Sequence, residues 1–233
     1  MASMEVPLAS LSLTHVNYNP DDPISYVAAL LSLVPQALFI VYVTLIWASR
    51  EVEILLQFAG QMLCEALNWV LKRIIRQERP PGMTAKGYGM PSSHAQFVAF
   101  FSLSTTLFLL LRHNPPTNST TSSATPFSHR AIFSTLVCAG SAAVAVSRIY
   151  LRYHTVAQVL AGYGVGVLCG IAWFLVTGWL RREGWVGWVV ETGWARGLRV
   201  RDLVTGEDLV EAGWRRWEAR REEVKRGAEK RSN

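Results

Sequence analysis

Apolar positions along the chain are gathered into long runs divided by short polar stretches. From Tyr26 to Trp47 there is no charged residue, and a run of roughly 20 such residues is long enough to cross a bilayer as a helix. Arg50 and Glu51 close that run, and a second spans Val52 to Ile75. The second is not uniformly apolar: Glu53, Gln57, Gln61, Glu65, Asn68 and Lys72 recur at spacings of three or four, which aligns them on one helical face. In lipid such a stripe must turn toward protein or water, so this helix is expected to line the bundle interior. Further crossings are expected at Ala95–Leu111, Ala131–Val146 and Val156–Leu180. Small residues from Ala139 to Ala143, and Gly162, Gly166 and Gly170 at every fourth position, are of the kind that lets membrane helices pack closely.

The flanks differ in composition. Residues 1–25 form a polar segment rich in Pro and Asp, expected to be loop or interfacial turn, without a basic stretch leading into an apolar one. The first spanning run is therefore expected to act as the insertion signal. Residues 113–130 carry Pro, Asn, Ser and Thr, the make-up of a solvated connection, and include the glycosylation-type triplet Asn118-Ser119-Thr120. Residues 181–233 form a Trp- and Arg-rich tail: Trp185, Trp188 and Trp194 suit a membrane interface, and Glu207–Lys225 suits a charged surface helix. The membrane domain proper is residues 26–180.

Composition agrees with this division: half of the 233 residues are hydrophobic, 17% are charged, and the formal net charge is +6. The basic residues sit beside spanning segments rather than on one soluble face, which excludes nucleic acid as a partner. Cys64, Cys138 and Cys169 lie inside apolar runs without metal-ligand spacing and read as small buried hydrophobes.

The polar stretch between the second and third crossings holds Lys72, Arg73, Arg76, Arg79 and Lys86, then ends on Pro91-Ser92-Ser93-His94 at the mouth of a helix. Counting crossings brings three segments to one membrane face: Lys72–Arg79, Ser92–His94 and Arg148–His154. The 113–130 loop and the tail fall on the other. Lys72, Arg79 and Arg148 together match an anion of more than one charge, with Arg supplying a planar fork for phosphate oxygens. Ser92 and Ser93 add hydroxyl and backbone donors at a helix N-terminus. His94 and His154 then divide the work, one imidazole attacking phosphorus and the other protonating the departing oxygen. Fixed cations supply the charge stabilisation phosphoryl transfer asks for. No magnesium-type carboxylate cluster accompanies them, so neither metal nor other cofactor is expected.

Lys72 with six residues before Arg79-Pro80, then Pro91-Ser92-Ser93-His94, then Ser147-Arg148 with five residues before His154, resembles the three-part signature of the type 2 phosphatidic acid phosphatase (PAP2) superfamily. The strings GYGMPSSHAQF and SRIYLRYHTVAQV are similar to its dolichyldiphosphatase branch. That resemblance implies an all-α integral membrane protein, a multi-span helical bundle of the PAP2 phosphatase type. It implies His154 as nucleophile, His94 as acid, and Lys72, Arg79, Ser92, Ser93 and Arg148 as phosphate ligands. It further implies a lipid substrate with a long polyprenol tail, hydrolysis of dolichyl diphosphate, and a multi-pass place in the endoplasmic reticulum membrane. Another lipid phosphate as substrate, and a non-catalytic membrane scaffold, are the alternatives. Nothing in the resemblance forbids an oligomer. The Arg-rich tail favours a cytosolic C-terminus and hence a luminal site, and Lys230-Arg231 is a weak retrieval-type signal. Two positions depart from the pattern. Ser93 stands where the superfamily has Gly, and Gln158 where it has the Asp that orients the nucleophile. A Gln oxygen still accepts an imidazole N–H; Glu65 is the other candidate for that task.

Overall fold

The computed structural model describes residues 9–11, 16–81, 87–114 and 125–232; Lys86 and Asn118-Ser119-Thr120 lie outside them. Among the described residues five stretches are long and apolar enough to cross a membrane. The first is a broken rod, α1 (Pro23–Leu31) and α2 (Val34–Ser49), where the sequence suggested one helix. Pro35 accounts for the break: it has no N–H to give, and its ring clashes with the carbonyl four residues back. The second, α3 (Val52–Ile75), coincides with the apolar run. Then come α4 (Ser93–Leu107), which widens into a π-turn at Phe108–Arg112, α5 (Phe127–Tyr150) and α6 (Val156–Arg182).

Helix α4 runs through the middle of the bundle, against α3, α5 and above all α6. Lipid offers helices no hydrophobic reason to associate, so close approach and internal hydrogen bonds must do it. The α4–α6 contact shows how. A Cβ built on Gly162 would lie 2.4 Å from the Ser92 carbonyl oxygen, and one on Gly166 would lie 2.4 Å from that of Gln96. Only glycine lets the two backbones meet at this separation. The small residues of α5 behave otherwise: Ala139, Gly140, Ala142 and Ala143 are exposed, and nothing approaches Gly140. Ser141 alone of that group turns inward, its hydroxyl 3.3 Å from Tyr163 Oη. The expectation that this stretch packs a neighbouring helix is corrected accordingly.

The polar stripe on α3 does face the interior. Glu53, Gln61 and Asn68 are buried. Asn68 Nδ2 donates to Gln96 Oε1 at 2.7 Å, and Gln96 Nε2 donates to the Cys64 carbonyl at 2.7 Å, stitching α3 to α4.

The two ends of the bundle are capped differently. At one end the N-terminal segment is not the plain loop expected, because β1 (Ala9–Leu11) and β2 (Val16–Tyr18) pair antiparallel. Val16 packs with Ala28, Ala29, Leu151 and Tyr153. At the other end Glu53 receives Arg112 at 2.7 Å and Arg181 at 2.6 Å. Buried Glu51 accepts from the Leu203 and Val204 amides at 2.8 and 3.1 Å. These bonds hold the strand-like 200–204 segment against the membrane helices. Short helices α7 (Trp185–Glu191) and α8 (Gly193–Gly197) and the long α9 (Leu209–Ser232) complete that end.

Candidate active site

Each segment singled out for its chemistry is positioned by a helix end. Helix α3 places Lys72 in its last turn, where a cation suits the helix dipole. Ser92 is the N-cap of α4, and Ser93 and His94 begin that helix. Lys72 Nζ donates to Ser93 Oγ at 3.4 Å. Helix α5 delivers Arg148 and then turns sharply. Arg152 adopts a left-handed conformation, φ 56°, and the amides of Tyr153 and His154 both fold back onto the Arg148 carbonyl, at 3.0 and 3.2 Å. The turn sets His154 just ahead of α6. Arg73, stacked on Trp69, and Arg76, bonded to the Arg73 carbonyl, lie exposed on the outside.

Gln158 joins these pieces. Thr155 caps α6 and forms a capping box with Gln158. The Gln158 Oε1 lies 3.2 Å from His154 Nδ1, while its Nε2 donates to the Glu78 carbonyl at 2.8 Å. An amide oxygen only accepts, so His154 carries its proton on Nδ1 and keeps the Nε2 lone pair free. The same amide fixes the backbone next to Arg79. Ser92 N–H donates to the Gln158 carbonyl at 3.1 Å, closing the α4–α6 junction. That donor is therefore committed to the fold and not available to an anion, contrary to expectation. The Ser92 hydroxyl remains, together with the Ser93–Ala95 amides that open α4 without an intrahelical acceptor.

Charge at this spot is unbalanced. Arg148 is 2% exposed and stacks 4.5 Å from the Tyr153 ring, yet its Nε and Nη1 have no partner among the described residues. The wholly buried Ser92 Oγ is likewise unpartnered. Burial pushes Arg79 below its ordinary value, with Tyr153 pulling the other way. Burial, with Arg79 nearby, brings His154 down to about 4; the Gln158 hydrogen bond opposes this, and Arg148 and Lys72 reinforce it. His154 thus senses all three expected cations. It is thereby a neutral imidazole throughout the physiological range, the form a nucleophilic histidine requires.

His94 Nε2 lies 3.2 Å from the Ser32 carbonyl oxygen at the α1–α2 break. Beside it a cavity of about 600 Å³ runs between α2, α3 and α4, lined by His94, Ser93 and Glu65 at polar positions and by Phe39, Ile40, Met62 and Phe97 at apolar ones. Phe39 and Ile40 are exposed on the outer surface, so the cavity opens sideways. Glu65 lines the His94 cavity, and the group bonded to His154 Nδ1 is Gln158. Sequence reasoning missed the Ser32 carbonyl, a backbone group with no signature of its own. It also passed over Gln96, an amide inside an apolar run.

A membrane helical bundle holding two histidines among clustered cations at one end is the arrangement of an embedded phosphatase. The PAP2 superfamily model matches residues 54–182, more than half of the chain, and the chain belongs to that superfamily. A Neurospora crassa protein named as a candidate dolichyldiphosphatase is 47% identical over 95% of each chain. Human dolichyldiphosphatase 1 is 41% identical over 72% of this chain and 71% of its own, and the Saccharomyces cerevisiae dolichyldiphosphatase is 31% identical over 87% of each. Among solved structures, a transmembrane PAP2-type phosphatidylglycerolphosphate phosphatase from Bacillus subtilis shares the fold. It matches at TM-score 0.53 and 23% identity, over 67% of this chain and 76% of that one.

Proposed function

We propose that this protein hydrolyses dolichyl diphosphate to dolichyl phosphate and inorganic phosphate, recycling the lipid carrier of protein N-glycosylation. The observation that carries the reading is Arg148, a buried guanidinium whose Nε and Nη1 meet no partner among the described residues. A buried charge without a partner is costly, and a phosphate bound bidentately relieves that cost. The terminal phosphate sits against Arg148, Lys72, Arg79 and the Ser92 and Ser93 hydroxyls. His154 Nε2 attacks its phosphorus while Gln158 holds Nδ1–H, the bridging P–O bond breaks, and His94 supplies the proton to the departing dolichyl phosphate. Water then cleaves the phosphohistidine. The sideways cavity beside His94 gives the first isoprenoid units an apolar course from the site into lipid.

The three fixed cations carry the charge, so activity is expected to persist in chelator. The tail lies at the end of the bundle opposite the site. With the basic tail cytosolic, the site faces the lumen of the endoplasmic reticulum. The test is phosphate release from radiolabelled dolichyl diphosphate by purified protein beside its His154→Ala variant. Activity in the parent and none in the variant is expected. Equal release from both would overturn the phosphohistidine route, and preference for phosphatidate would overturn the substrate.

A further inference from the structure

Residues 23–49 precede the matched stretch 54–182, yet they touch one of the two histidines. The contact is made by main chain. Helix α1 closes with the Ser32 amide reaching the Ala28 and Ala29 carbonyls, both at 3.2 Å, and α2 restarts with Ala37 N–H on the Leu33 carbonyl at 3.0 Å. Between them the Ser32 carbonyl is turned toward α4 and meets His94 Nε2 at 3.2 Å. Gln36, with its amide nitrogen facing the carbonyls, reaches Ser32 O and Leu33 O at 3.1 Å and braces the break. Ser32 is 1% exposed, so water is no substitute for the imidazole there. The Ser32 hydroxyl takes no part, being bonded to the Ala29 carbonyl at 2.6 Å.

We propose that the Ser32 carbonyl, presented by the break at Pro35, positions His94 as its Nε2–H tautomer and so makes Nδ1 the atom that exchanges protons with the reacting phosphate. A carbonyl oxygen can only accept, so the nitrogen facing it keeps its hydrogen throughout the cycle. This rests on the phosphohistidine reading above. In the first step the P–N bond to His154 forms as the bridging P–O bond breaks, and the His94 Nδ1 proton passes to the departing oxygen. In the second, water attacks the same phosphorus, the P–N electron pair returns to His154, and the water proton moves to Nδ1. One water is consumed, and both imidazoles end as they began.

The departing group of a diphosphate is itself a phosphate and leaves readily, so misplacing His94 should tell most on the second step. Pro35→Ala restores the missing N–H and lets α1 and α2 run on as one helix, withdrawing the carbonyl. With dolichyl diphosphate radiolabelled in its terminal phosphate, the variant should lose roughly tenfold or more in kcat, with kcat/KM little changed and labelled phosphohistidine accumulating above the parent level. Unchanged kcat, or a loss without phosphoenzyme accumulation, would overturn the proposal. Heteronuclear NMR of the histidine-labelled parent gives a judgement that does not depend on the variant's folding. Neutral His94 protonated at Nε2 supports the assignment, and protonation at Nδ1 overturns it. The NMR result stands whether or not dolichyl diphosphate is the substrate, whereas an inert parent protein would overturn the substrate reading alone.

Discussion

On the proposed reading, Arg148 serves the reaction at the expense of the fold. Its guanidinium is buried without a counter-ion among the described residues, so an apolar residue of similar length should make the resting protein more stable while ending catalysis. Arg148→Met is therefore expected to raise the melting temperature in detergent. Added inorganic phosphate should raise that of the parent but not of the variant, as ligand linkage requires. A calorimetric scan with and without phosphate checks both. His154 offers a second test at this scale. Its value near 4 keeps it neutral and nucleophilic at any higher pH, so the acid limb of kcat/KM should fall near 4 rather than near the ordinary imidazole value. Gln158→Asp places a carboxylate against Nδ1, favours the imidazolium, and should move that limb upward by about one unit or more; a pH profile of both proteins decides. The residue types were legible in the sequence because phosphate chemistry needs cations and imidazoles at fixed intervals. The Ser92 amide was not, because its use by the Gln158 carbonyl depends on how tightly α4 meets α6.

That junction governs the element scale. Gly162 and Gly166 let α6 lie against the backbone of Ser92 and Gln96, and so they set the height of the serines and of His94 relative to His154. Alanine at either position forces backbone apart and should cost about 1–3 kcal/mol, as overpacking does, with activity falling alongside. Gly164→Ala is the control: nothing lies within 4 Å of a Cβ there. Thermal unfolding of the three variants separates contact from helix propensity. The spacing of these glycines was visible in the sequence, whereas their partner was not. The α5 run Ala139–Ala143 looked equally suited to packing and turned out to face outward, since a small residue permits an approach without demanding one. The first crossing teaches the converse. Pro35 was plain to read, but membrane helices often carry proline, and only the neighbouring His94 shows why this break is useful.

For the whole molecule, the apolar pattern gave the five crossings and the end on which they gather the site. It could not give the partners of the α3 carboxylates: Glu53 meets Arg112 and Arg181, and Glu51 meets the 200–204 segment, from distant parts of the chain. Glu53→Ala leaves both arginines without that partner and should cost about 3–5 kcal/mol, loosening the tail from the bundle. Proteolysis of the tail in sealed microsomes should quicken in that variant, and in the parent it also reports which side the C-terminus occupies. The missing carboxylate opposite His154 has one more consequence. With a neutral amide in that place, no carboxylate bonds to His154 among the described residues to help expel the inorganic product, and on the proposed reading the cations retain it. Free phosphate should then compete with the lipid for the same seat, so that a rising phosphate concentration in that compartment would throttle carrier recycling.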